Sequence, residues 1–182
     1  SIRVEGFRSL KSVGQGDALE DLGPITVLIG PNGAGKSNLL SFLRLLSMIN
    51  TQSLRMFVGN AGGAAALMHY GPKVTKEIGF SLSFEWDGVI RSYEGRLGHA
   101  SADQLLFLEE LCSVEQPRRT HNMGAGHFES SLREAQNPDA KAVHGYLSRC
   151  NFFHFHDTSQ TGPLRTSART VDAAYLKSFG QN

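Results

Sequence analysis

The chain has 182 residues, 40% of them apolar, which is enough for one compact domain with a core of its own. Its formal net charge of +1 excludes the overall basic field of many nucleic-acid binders, although not a local basic patch. Two cysteines, Cys112 and Cys150, lack CxxC spacing and read as reduced thiols of a cytoplasmic protein, and no apolar run reaches the ~20 residues of a membrane span.

In chain order, SIRVEGF (1–7) alternates apolar and polar residues and predicts a strand. No signal-peptide pattern precedes it. A Gly-bearing connection with a short strand or turn follows. ITVLIG (25–30) is a continuous aliphatic run that predicts a strand buried on both faces of a sheet. Residues 36–50, KSNLLSFLRLLSMIN, carry apolar side chains nearly all the way round and predict a buried helix. Residues 59–71 are small and flexible and read as a loop with a helical turn. Ile78, Phe80, Leu82, Phe84 and Trp86 alternate with smaller or polar residues, and Asp87-Gly88 supplies a tight turn. The return strand presents Val89, Arg91, Tyr93, Gly95 and Leu97 on one face. QLLFLEEL (104–111) predicts a further strand or helix with a solvated acidic end. Residues 115–126 are polar and predict a mobile segment. Residues 139–150 read as a helix entered through Pro138 and Asp139, and NFFHFHD (151–157) as a strand.

The chemistry concentrates at Gly30-Pro31-Asn32-Gly33-Ala34-Gly35-Lys36-Ser37, a full GxxxxGK[ST] motif. Glycines let the main chain curl so that successive N–H groups converge on phosphate oxygens. The helix starting near Lys36 adds its positive end. Lys36 reaches the β- and γ-phosphates, and Ser37 places a hydroxyl on Mg²⁺. The motif therefore predicts ATP and Mg²⁺ as ligands, with Asn32, Gly33, Ala34, Gly35, Lys36, Ser37 and Asn38 around the nucleotide.

Other candidates are weaker. Glu109 and Glu110 imitate the acids of a Walker B strand, but the flanking hairpins argue for a structural role. His154 and His156 alternate on one side of a strand, which suits a polar strand end beside the nucleotide, a metal pair lacking a third ligand, or ordinary histidines. Arg165, Arg169 and the pair Arg118-Arg119 beside His121 read first as solvated charge and second as phosphate or DNA contacts.

RVEGFRSLKS followed by LGPITVLIGPNGAGKSNLL resembles the opening of RecF- and SMC-type ATPases of the ABC-like class. FHFHDTSQTGPLR is similar to the returning strand of OLD and PtuA-like AAA-family ATPases. The resemblance implies an α/β P-loop NTPase head with an antiparallel, hairpin-rich lobe and an incomplete C-terminal half. It divides the chain into a P-loop core (1–58), a variable lobe (59–150) and a return strand with the start of a next segment (151–182). It implies that Arg8 and Ser9 approach the nucleotide and that His156 and Asp157 stand near the Q-loop position, although the usual Gln is not there. LSxGxxR, an hhhhDE strand and the switch His are missing, so the catalytic acid is unassigned. The likeness thus implies the ATP-binding lobe of a larger ATPase, weak or inactive alone. Such heads form homodimers around ATP and act in DNA maintenance or anti-phage defence, on DNA and with a nuclease or effector partner, and without a membrane. The rival readings are the nucleotide-binding domain of an ABC transporter, a small-molecule P-loop kinase and a non-enzymatic lobe with a structural nucleotide.

Overall fold

Six strands form the sheet of the computed structural model, which describes residues 1–14, 19, 22, 23 and 25–150. They are β1 (Ile2–Phe7), β2 (Leu10–Val13), β3 (Glu77–Trp86), β4 (Val89–Ala100), β5 (Gln104–Val114) and β6 (Arg119–Gly124). All pair antiparallel in one sheet, in the order β2-β1-β3-β4-β5-β6. Three α-helices accompany them: α1 (Lys36–Asn50), α2 (Leu54–Asn60) and α3 (Pro138–Ser148). The protein is thus α/β, and residues Ser1–Ser148 form one compact unit.

The β3–β4 hairpin follows from its alternation. Ile78, Phe80, Leu82 and Phe84 are buried, and Trp86 pairs with Val89 across Asp87 and Gly88, both in the left-handed region. On the inner face, Phe42 of α1 meets Phe7 at 5.9 Å and Phe80 at 6.2 Å, and Phe80 meets Tyr93 at 5.4 Å. Leu45, Leu46 and Ile49 of α1 complete this contact and are almost wholly buried. Each such side chain contributes about 1.5–3 kcal/mol of hydrophobic stabilisation. Further along β3, Tyr146 of α3 stacks on Phe84 with 3.8 Å between ring centroids. The helices are tied by polar contacts as well: Asn50 donates to Ser148 Oγ, and its Oδ1 lies 2.8 Å from His144 Nδ1.

Gly6 explains part of the GFRS motif. It has φ 71°, and a Cβ on it would stand 2.5 Å from the carbonyl oxygen of Glu77. No other residue fits that close approach.

Several expectations need correction. Residues 25–30 form no strand, and Ile25, Val27 and Ile29 are 87%, 71% and 91% exposed. A strand buried on both faces needs a place in a sheet covered on both sides, and the described sheet does not include this segment. Helix α1 is less evenly buried than its composition implies, since Leu40 lies half in solvent. Residues 115–126 are not a mobile segment throughout: β6 pairs with β5 from Val114↔Arg119 to Glu110↔Gly124. NFFHFHD, His154, His156, Asp157, Arg165 and Arg169 lie outside the described residues.

Candidate nucleotide-binding site

The GxxxxGK[ST] loop leads directly into α1. Gly33 and Gly35 have φ 86° and 89°, and these two left-handed residues curl the chain before the helix. A Cβ on Gly35 would also press to 3.0 Å from Leu10 Cδ2. Gly35 is the N-cap of α1 and provides no side-chain cap. The helix's first amides therefore keep their donor capacity, aligned with the positive end of its dipole. The Ala34 amide donates to the Pro31 carbonyl at 3.3 Å.

Lys36 folds back over this curl. Its Nζ donates to the Gly30 carbonyl at 2.5 Å and the Pro31 carbonyl at 2.7 Å. The ammonium is thus held at the loop by its own backbone. Asn32, Gly33, Ala34 and Ser37 are exposed, and Gly35, Lys36 and Asn38 are half-buried.

The turn between β1 and β2 touches this loop. Asn38 Nδ2 donates to Ser9 Oγ at 2.5 Å, and Ser9 Oγ lies 3.7 Å from the position a Gly35 Cβ would take. Arg8 precedes it at φ 49°. The Arg8 Nε–H is buried and has no hydrogen-bond partner. The structure therefore brings together Asn38, Ser9 and the glycine curl, with Arg8 in the adjoining turn.

These groups fit a Mg²⁺-bound triphosphate. Amides, the Lys36 ammonium and hydroxyls lie at or beside the curl, with Arg8 in the adjoining turn, and nothing lies within 4 Å of a Cβ built on Gly33. Ser37 would hold the metal and Lys36 the terminal phosphates. Among the described residues, no group of three His, Cys, Asp or Glu is placed to hold a metal ion by itself.

The acidic pair behaves differently from its sequence reading. Glu110 is no solvated end: it is fully buried, on an antiparallel strand. Its Oε1 accepts from Tyr93 Oη at 2.7 Å and Ser130 Oγ at 2.5 Å. Its Oε2 accepts from the Ser131 amide at 3.0 Å and lies 2.9 Å from His127 Nε2. Burial, then the charge of Glu110, holds the Tyr93 hydroxyl well above its ordinary pKa. All four partners of this carboxylate are protein groups, so its role is structural. The sequence carried one signal for this, the inward alternation of Cys112 and Val114 on the same strand.

The basic spot around His121 is committed as well. Asp139, almost buried at the start of α3, lies 2.9 Å from His121 Nε2, 3.3 Å from Arg119 and 3.6 Å from Arg91. Burial pushes the nearby Cys112 thiol up to about 12, which leaves it unreactive. A cavity of about 550 Å³ is lined by Gln52, Ser53, Arg55, Met56, Gln104 and Glu129. It lies by the far end of α1 from the glycine loop, and the Glu129 carboxylate there already accepts from the Leu54 and Arg55 amides.

A glycine curl with a folded-back lysine, opening a helix that packs on a sheet, is the mark of the P-loop ATPase superfamily, here of the AAA type. Residues 25–118, just over half of the chain, match the family described as "AAA domain, putative AbiEii toxin, Type IV TA system", and the chain belongs to that family. The matched span opens just ahead of the glycine loop and closes before β6; β1, β2 and their GFRS turn lie outside it. Neither the curated proteins nor the solved structures gave a match to the chain. Among the described residues, no helix is long and apolar enough to cross a membrane.

Proposed function

We propose that this chain is the ATP-binding lobe of a RecF/SMC-like ATPase, with an ABC-like head that engages a second copy around ATP. The observation that carries the reading is the junction of the glycine curl with the GFRS turn, made by Asn38 and Ser9. The two motifs that define the resemblance are 29 residues apart at this contact and meet in space. Bound Mg²⁺-ATP supplies a cleavable phosphoanhydride and charge that can hold two heads together. On this chain, Lys36 exchanges its two carbonyl acceptors for phosphate oxygens. The amides at the start of α1 bind the phosphates and Ser37 binds the metal, with Arg8 and Ser9 in the turn beside them. The residues of this chain show no signature motif, hhhhDE strand or switch His, so slow turnover by the chain alone is expected. The family's description, which includes "putative AbiEii toxin, Type IV TA system", favours a defence role over DNA repair; DNA and a nuclease or effector are the partners this reading expects.

Calorimetric titration of the chain with Mg²⁺-ATP tests this reading. Saturable binding is expected, weakened at least tenfold by Lys36→Ala with the melting temperature unchanged. Undiminished affinity in that variant would overturn the assignment.

A further inference from the structure

We infer that Tyr70, backed by His69, is the stacking platform for the base of the bound nucleotide; this rests on the ATP-binding reading above. Lys36 and Ser37 fix the end of the ligand that carries the β- and γ-phosphates. The nucleoside must then leave the curl along its rim. The rim's neighbour is the Arg8–Ser9 turn, joined to Asn38 through Ser9 Oγ. On the other side of that turn, His69 Nδ1 lies 2.6 Å from the Arg8 carbonyl oxygen, and the Tyr70 ring packs against the His69 ring with centroids 4.4 Å apart. Asn38, Ser9, Arg8, His69 and Tyr70 thus form one continuous line of contacts leading away from the phosphate cradle.

Tyr70 is presented in a way that core packing does not require. It is 80% exposed and has φ 56°, a conformation a bulky side chain seldom adopts. The segment beneath it is nevertheless firmly held. The Arg8 amide donates to the Leu67 carbonyl at 2.7 Å, and the His69 amide to the Gly6 carbonyl at 2.9 Å. Phe7 pairs with Met68 as an isolated bridge, Thr75 Oγ1 donates to the His69 carbonyl, and the Gly71 amide donates to the Met68 carbonyl. Leu67 and Met68 are buried on either side of these bonds. An aromatic ring fixed at its base and bare on its face is preorganised for stacking, because little side-chain freedom remains to be lost on binding. A purine presents the largest face to such a ring.

The test compares two ligands on the full chain, Mg²⁺-ATP and Mg²⁺-tripolyphosphate, which lacks sugar and base. Tyr70→Ala is expected to weaken ATP about tenfold, the scale of one base–aromatic stack, and to leave tripolyphosphate unchanged. Tyr70→Phe is expected to retain ATP affinity. Tyr70→Trp should add emission that ATP quenches and tripolyphosphate does not. Equal loss of both ligands in Tyr70→Ala, or loss of neither, overturns the platform while the phosphate site stands. Failure of the unaltered chain to bind either ligand overturns the ATP-binding reading, and this inference with it.

Discussion

Arg96 pairs with Glu109 across β4 and β5, whereas its neighbour Leu97 pairs with Phe107. Leu108 is the extra residue of this bulge, and its side chain lies over Gly98, where a Cβ would come within 2.9 Å of it. The bulge changes the parity of β5. Leu105 and Phe107 point inward before it, and Glu110, Cys112 and Val114 point inward after it. Strict alternation would have sent Glu109 into the core instead, so which glutamate is buried was not legible from LFLEEL alone. Because Glu110 has no contact with water, its four partners depend on it. Glu110→Ala should destabilise the chain by about 3–5 kcal/mol, since buried donors lose their acceptor. Glu110→Gln should cost less, about 1–2 kcal/mol, because the Tyr93 hydroxyl can turn to accept from the amide. Urea denaturation of both variants checks the order. If alanine proves as mild as glutamine, the carboxylate is not the organiser of this corner.

At the scale of elements, the connection between α2 and β3 reaches the glycine loop by way of the GFRS turn, so its attachments bear on the site. One end is held by Asp103, in the short turn between β4 and β5. Its Oδ1 accepts from the Ala65 amide at 2.9 Å and lies 2.9 Å from His99 Nε2, while its carbonyl accepts from the Ala64 amide at 2.8 Å. The Ala65 amide lowers the Asp103 pKa most; burial opposes it, and the His99 side chain lowers it further. A carboxylate lowered in the folded state favours folding above its unfolded pKa, and the contribution fades as pH falls through the folded value. The window therefore lies below the ordinary aspartate pKa of about 4. Hydrogen exchange at Ala65, corrected for intrinsic rate, should be slow at about pH 6 and should accelerate below about pH 4. Asp103→Asn should exchange faster at about pH 6 and lose that pH dependence. Protection that persists unchanged into strong acid would show that the carboxylate does not pin this connection.

For the whole molecule, legibility tracked how much of each element's partner lay within reach of a local pattern. The β3–β4 hairpin was readable because its turn and both inner faces are contiguous, and α1 because eight apolar residues crowd fifteen positions. The glycine loop was readable because its chemistry demands named residues in fixed order. Strand β6 was hidden, since an edge strand reading RTHNMG shows no apolar alternation and is specified by the ladder with β5. The contact of Tyr70's segment with the GFRS turn was hidden too, because 61 residues separate His69 from Arg8. The sharpest divergence is at 25–30, where a buried-strand pattern meets solvent. That difference has a measurable consequence for the stability of the chain. If the segment contributes nothing to the cooperative core, Ile29→Ser should change unfolding free energy by no more than about 0.5 kcal/mol. Leu45→Ala, at a fully buried position of α1, should cost about 2–5 kcal/mol. Urea denaturation of the 182-residue chain compares the two directly. A loss at Ile29 as large as that at Leu45 would mean that the aliphatic run is packed inside a sheet in solution, and that the phosphate loop hangs from the core rather than from the helix alone.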